Sequence, residues 1–191
     1  MNDVVVSTYF CDLDGTLIDT AQANFRAYHL ALEQFGVPFD WKCFTTTWGR
    51  DSRDFLPEVA PTLSSGQIAQ VRSEKANCYP QFLQLTRLNV PLYRLLVSLK
   101  GTARIGLVTT AKRANVSDVL LHHHLDGLFD YVVCGEDTTR SKPWPDPYLY
   151  ALQVARIPAE RAITFEDSAT GMESARRAGI AAVRIGFSHE G

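Results

Sequence analysis

Cysteine is scarce and scattered. Its four positions, Cys11, Cys43, Cys78 and Cys134, form no C-x-x-C pair in 191 residues. That spacing argues against a disulfide framework or a zinc site, and for reduced thiols in a cytoplasmic protein. Excess charge is missing as well. Nineteen basic and 21 acidic side chains leave a net charge of −2, with no long-range pull toward nucleic acid or an anionic membrane. No apolar run reaches the length that spans a bilayer, and the opening "MNDVVVSTYF" lacks the basic region of a signal peptide. Repeats, low-complexity stretches and heptads are absent, so a monomer is the default expectation.

What is present is a rhythm. Short runs rich in β-branched or aromatic residues occur at 4–10, 103–109, 131–134, 162–165 and 181–185. Each has the length of a strand buried on both faces. Helical stretches are expected at about 113–125, 145–156 and 170–178, with Gly127, Pro158 and Gly179 near their ends. Alternating strand and helix predicts an α/β fold with a doubly wound parallel sheet.

One interval breaks the rhythm. Residues 18–87 read almost wholly as helix: Phe25, Tyr28, Leu32 and Phe35 recur at helical spacing over 20–36, and a second helix over 66–85 is kinked at Pro80. This is far longer than a simple crossover, so 18–87 is expected to be an inserted helical cap on a core of 1–17 and 88–191. The "HHH" at 122–124 fits a helix end, where imidazolium suits the dipole.

Ligands of an open parallel sheet bind beyond the carboxyl ends of its strands. Asp12 and Asp14 follow the first apolar run, Thr109 and Thr110 the second, Lys142 in "SKPWPDP" the third, and Glu166, Asp167 and Ser168 the fourth. Crowded carboxylates need a cation, and hard oxygen donors without His or Cys point to Mg²⁺. Such an ion commonly shares a substrate phosphate, to which Lys142 and Thr109 would add a positive charge and a hydroxyl. In an extended segment Asp12 and Asp14 point the same way, so one serves as nucleophile and the other as acid and base. Spacing leaves their order open.

With those residues assembled, the chain resembles the haloacid dehalogenase superfamily, in its helical-cap branch of phosphatases and β-phosphoglucomutases. "DLDGTLIDT" fits the first family motif, "VTT" the second, "KPWPD" the third and "FEDSATGMESARRAG" the fourth. The resemblance implies a Rossmann-like core whose nucleophile is Asp12 and whose acid/base is Asp14. It implies Mg²⁺ on Asp12, the Asp14 carbonyl and Asp167, with Glu166 direct or through water. Thr109 and Lys142 would bind the phosphoryl group. The second aspartate speaks against a dehalogenase.

By the same resemblance the cap would close over the sheet edge and select a small phosphorylated metabolite. Trp48, Arg50 and Arg53, in "TTWGRDSRDFL" (46–56), fall where relatives carry a specificity loop. A solvated helix start capped by Asp51 and Ser52 is the equal alternative for that stretch. β-Phosphoglucomutases carry His where this chain has Asn24, and Trp where it has Tyr28. Asn24 cannot titrate, which favours hydrolysis over a sugar-phosphate mutase.

Overall fold

The structure, a computed structural model, describes residues 5–187. It begins with β1 (Thr8–Cys11), β2 (Ile18–Asp19), α1 (Ala21–Glu33), α2 (Trp41–Thr47), α3 (Ser52–Val59) and α4 (Ser65–Cys78). A 3-10 helix (Tyr79–Leu85), β3 (Arg87–Leu88), α5 (Val90–Leu99), β4 (Arg104–Val108), α6 (Arg113–His122) and β5 (Tyr131–Val133) follow. The remainder is α7 (Asp146–Ala155), a short 3-10 helix (Ala159–Arg161), β6 (Ala162–Glu166), α8 (Ala169–Arg177) and β7 (Ala181–Arg184). Two compact units result: one is built from the stretches up to Asp19 and from Leu88 onward, the other is Thr20–Arg87.

In the first unit five strands lie in the order β5-β4-β1-β6-β7, and every pairing is parallel. Thr8 pairs with Arg104 on one side and Ala162 on the other, and Cys11 with Leu107 and Phe165. The chain extends the sheet one way through β4 and β5, then the other way through β6 and β7. β1 is therefore the topological switch point, where such sheets open a crevice at their carboxyl ends. Phe10, Val108 and Val133 bury one face of the sheet against Tyr148, Ala151 and Leu152 of α7 and Ala175 of α8. Gly106 is required there, because a Cβ would lie 2.7 Å from the Phe10 ring. This is the doubly wound α/β architecture expected from the alternating runs.

The strand ends differ from the apolar runs in detail. β1 starts only at Thr8, and Val4 of the expected run lies outside the described residues. α6 ends at His122, and His124 takes a positive φ of 56°, the left-handed place usually given to glycine.

The second unit is helical. Ala31, Leu32, Phe39, Phe44, Phe55 and Val71 form its core, and Phe25 meets Trp41 edge-on at 5.3 Å between centroids. The helix expected over 20–36 stops at Glu33, because Gly36 turns the chain at φ 66° and Val37 donates back to the Leu32 carbonyl. The helix expected over 66–85 is α4 followed by the 3-10 turn at Tyr79–Leu85. Pro80 has no N–H to continue the α-helical ladder. Among the described residues no helix is long and apolar enough to cross a membrane.

Candidate active site

Parallel register brings the ends of β1, β4 and β6 level. Asp12 is the first residue beyond β1, and its amide donates to Phe165 O at 3.0 Å. Glu166 closes β6 and is fully buried; Asp167 follows it. Lys142, on the loop before α7, inserts its ammonium among them and is 5% exposed. Its Nζ donates to Asp12 Oδ1 at 2.7 Å, Glu166 Oε1 at 2.6 Å and Val108 O at 2.9 Å. Those three bonds use all three ammonium protons. Lys142 thus reaches a phosphoryl oxygen only by sharing or exchanging one of them.

Thr109, buried beyond β4, donates its amide to Val133 O at 3.0 Å and accepts from Ala111 N at 3.1 Å on its hydroxyl. As an acceptor there, the hydroxyl keeps its own proton for an anion. Thr110 beside it is half-buried.

The segment after Asp12 does not continue as a strand. Leu17 and Ile18 both donate to Leu13 O, and Gly15, at φ 88°, donates to Ile18 O at 2.8 Å. The extended geometry expected to aim Asp12 and Asp14 the same way is therefore replaced by a turn, with Asp14 half-buried in an isolated bridge to Ile18. The same turn presents Thr16, whose Oγ1 donates to Asp167 Oδ1 at 3.1 Å.

One ammonium sits between two carboxylates, and Asp14 and Asp167 add further negative charge around Asp12. Burial first, and then Glu166, Asp167 and Asp14 against the opposing pull of Lys142, hold the Asp12 carboxyl well above the usual range. Burial works against the Lys142 charge, but Asp12 and Glu166 outweigh it and keep the ammonium protonated above the ordinary lysine value. Carboxylate oxygens of Asp12, Glu166 and Asp167 lie within 4.8 Å of one another. Glu166 Oε2 is buried with no hydrogen-bond partner among the described residues. An all-oxygen donor set, excess negative charge and an orphaned carboxylate oxygen fit a Mg²⁺ ion.

Three contributors were not legible as site residues. Thr16 lay inside the quoted "DLDGT" without a role. Tyr148, on the first turn of α7, donates its phenol to Glu166 Oε1 and lies 3.0 Å from Thr164 Oγ1. Only the nearby "KPWPD" signalled that region.

Asn24, Trp48, Arg50 and Arg53 belong to the helical unit. Asn24 Nδ2 donates to Thr20 Oγ1 at 3.0 Å, and Trp48 packs edge-on against Phe44 at 5.6 Å between centroids. Arg50 forks onto Glu58 at 2.9 and 2.6 Å, and Arg53 onto Asp51 at 3.1 and 2.7 Å. Asp51 also caps α3 by accepting from Arg53 N at 2.8 Å, which is the capped helix start read as the alternative for that stretch, with Ser52 as the first helical residue.

The sequence matches the family described as haloacid dehalogenase-like hydrolase over residues 9–185. It is 29% identical over 176 residues to a phosphorylated carbohydrates phosphatase of Thermotoga maritima, covering 88% of this chain and 80% of that one. Solved structures share the fold, two of them as follows. CbbY of Rhodobacter sphaeroides with phosphate superposes with a TM-score of 0.86 at 24% identity, over 98% of this chain and 90% of that one. A β-phosphoglucomutase of Clostridium difficile gives 0.83 at 22% identity, over 96% and 86%.

Proposed function

This chain belongs to the haloacid dehalogenase-like hydrolase family, and from that premise we propose that it is a Mg²⁺-dependent phosphatase of a small phosphorylated sugar. The observation that carries the reading is Asp12 at the switch point of the sheet, buried and held by Lys142 between two further carboxylates. The substrate class rests on the phosphorylated carbohydrates phosphatase among the relatives.

Lys142 engages Asp12 Oδ1, which leaves Oδ2 as the attacking atom. Oδ2 forms a bond to phosphorus while the ester P–O bond breaks, giving an aspartyl-phosphate. Asp14 gives its proton to the departing sugar oxygen. In the second half Asp14 takes a proton from water, the water oxygen bonds to phosphorus, and the Asp12–phosphorus link breaks to free phosphate. The Thr109 hydroxyl donates to a phosphoryl oxygen, and Lys142 keeps Asp12 in place and offsets negative charge. Asp12, Glu166, Asp167 and the Asp14 carbonyl would hold Mg²⁺, which supplies the positive charge that lets a carboxylate approach a phosphate ester.

Trp48, Arg50 and Arg53 are assigned to the sugar side. The Arg50–Glu58 pair is exposed and screened by solvent, so a ligand oxygen can displace the partner carboxylate. Asn24 has no titratable group with which to delay the acid/base step, which supports hydrolysis over mutation of the phosphate position.

Phosphate release from sugar phosphates, phosphoglycolate and nucleotides, with and without Mg²⁺, tests the reading. Mg²⁺-dependent release from one or a few sugar phosphates is expected. Isomerisation of a hexose 1-phosphate with little net phosphate would replace hydrolysis by mutase activity, and folded protein inert to every compound would sink both.

A further inference from the structure

Tyr148 is a fully buried phenol that none of the steps above uses. Its setting follows from strand geometry. Thr164 and Glu166, two residues apart on β6, project to the same face of the sheet, and Tyr148 on α7 lies across from both. The phenol has one proton, which goes to Glu166 Oε1. Thr164, 3.0 Å away, must then donate to the phenol oxygen. The result is a directed chain from Thr164 through Tyr148 to Glu166, all three fully buried, where water cannot substitute.

Glu166 is held on each side. Oε1 receives Lys142 at 2.6 Å and Tyr148. Beyond the carboxylate lies the first turn of α8, at Gly171, where a Cβ would fall inside the Glu166 carboxylate. Without the phenol, Lys142 alone would orient Oε1 while Asp12 and Asp167 repel the group. The ring does separate work: it packs on Phe10 at 6.3 Å and lies 5.3 Å from Lys142 Nζ.

We infer that Tyr148, braced by Thr164, is a positioning residue of the phosphoryl-transfer site: its hydroxyl fixes the Glu166 carboxylate so that one oxygen anchors Lys142 while the other stays available to the cation. The inference rests on the phosphatase reading for its purpose, but its geometry is independent of substrate.

Tyr148→Phe removes the hydroxyl and keeps the ring. Thr164→Val removes the brace and keeps the shape. Thermal unfolding of the full chain, wild type and variants, is followed across a Mg²⁺ titration, with Tyr150→Phe on the exposed side of α7 as control. The Mg²⁺ concentration giving half of the stabilisation is expected to rise about tenfold or more in Tyr148→Phe. A smaller rise is expected in Thr164→Val, and none in the control. A hydroxyl serving only the core would lower the melting temperature equally with and without Mg²⁺. That result, or one Mg²⁺ response common to every variant, including no response at all, overturns the inference. Should Tyr148→Phe fail to fold, Thr164→Val is judged by the same criterion. Phosphate release by the wild type is read in parallel. A shifted Mg²⁺ response with no wild-type hydrolysis leaves the positioning role standing and removes the phosphatase. Hydrolysis with unshifted responses removes the positioning role alone.

Discussion

Asp12 carries two burdens at once, as a buried charge among carboxylates and as the proposed nucleophile. Asp12→Asn keeps the shape and removes the attacking oxygen, so turnover is expected to fall by about 10⁴-fold or more in a phosphate-release assay, in protein that still unfolds cooperatively. Retained turnover would move the nucleophile elsewhere. Gly171 gives a sharper test because its sign is unusual. In an open helical position Gly→Ala stabilises by about 1 kcal/mol. Here the added Cβ meets the Glu166 carboxylate, and Gly171→Ala is expected to destabilise by about 1–3 kcal/mol in urea unfolding. Stabilisation by Ala would mean that Glu166 can move aside at little cost.

Among elements, helix caps separate stability from site geometry. Ser168 caps α8 by accepting from Gly171 N at 3.0 Å, and Ser64 caps α4 in a reciprocal box with Gln67. Replacing either by Ala is expected to cost about 1 kcal/mol. Only Ser168→Ala should also weaken stabilisation by Mg²⁺, since Ser168 follows Asp167 directly; equal Mg²⁺ responses in the two variants would contradict this. Element boundaries also mark what the sequence could reveal. The strands were legible because β-branched runs between helices have few other uses, and Asp12, Lys142 and Glu166 because each follows such a run. α2 was not, and α3 only as a helix start at Asp51 and Ser52: at seven and eight residues they depend on the caps Asp40 and Asp51 more than on apolar spacing. Thr16 on Asp167, and Tyr148 on Glu166 and Thr164, were equally hidden. Those contacts join residues far apart in the chain, and no local pattern records them.

For the whole molecule the acidic cluster ties stability to pH. Asp12 binds its proton more tightly folded than unfolded. Between the ordinary aspartate pKa of about 4 and its raised folded value, the unfolded chain has released that proton and the folded one retains it. Metal-free stability therefore falls as pH rises through that window. A cation opposes the fall, since it favours the ionised carboxylates. The Mg²⁺-induced rise in melting temperature is expected to grow as the pH is raised above the ordinary aspartate range in calorimetric scans. A rise independent of pH would mean that Asp12 is already ionised without metal.

The central place of β1 also bears on how the chain is made. Thr8–Cys11 leaves the ribosome well before its partners Arg104–Leu107 and Ala162–Phe165. Throughout that delay both edges of an apolar strand stand open, while Thr20–Arg87, whose helices find their neighbours nearby in sequence, can condense during synthesis. Assembly of the sheet, and of the acidic cluster at its edge, waits until Glu166 and Asp167 have emerged. A nascent chain halted before them has the helical unit but not the sheet, and exposes the strand most open to intermolecular pairing.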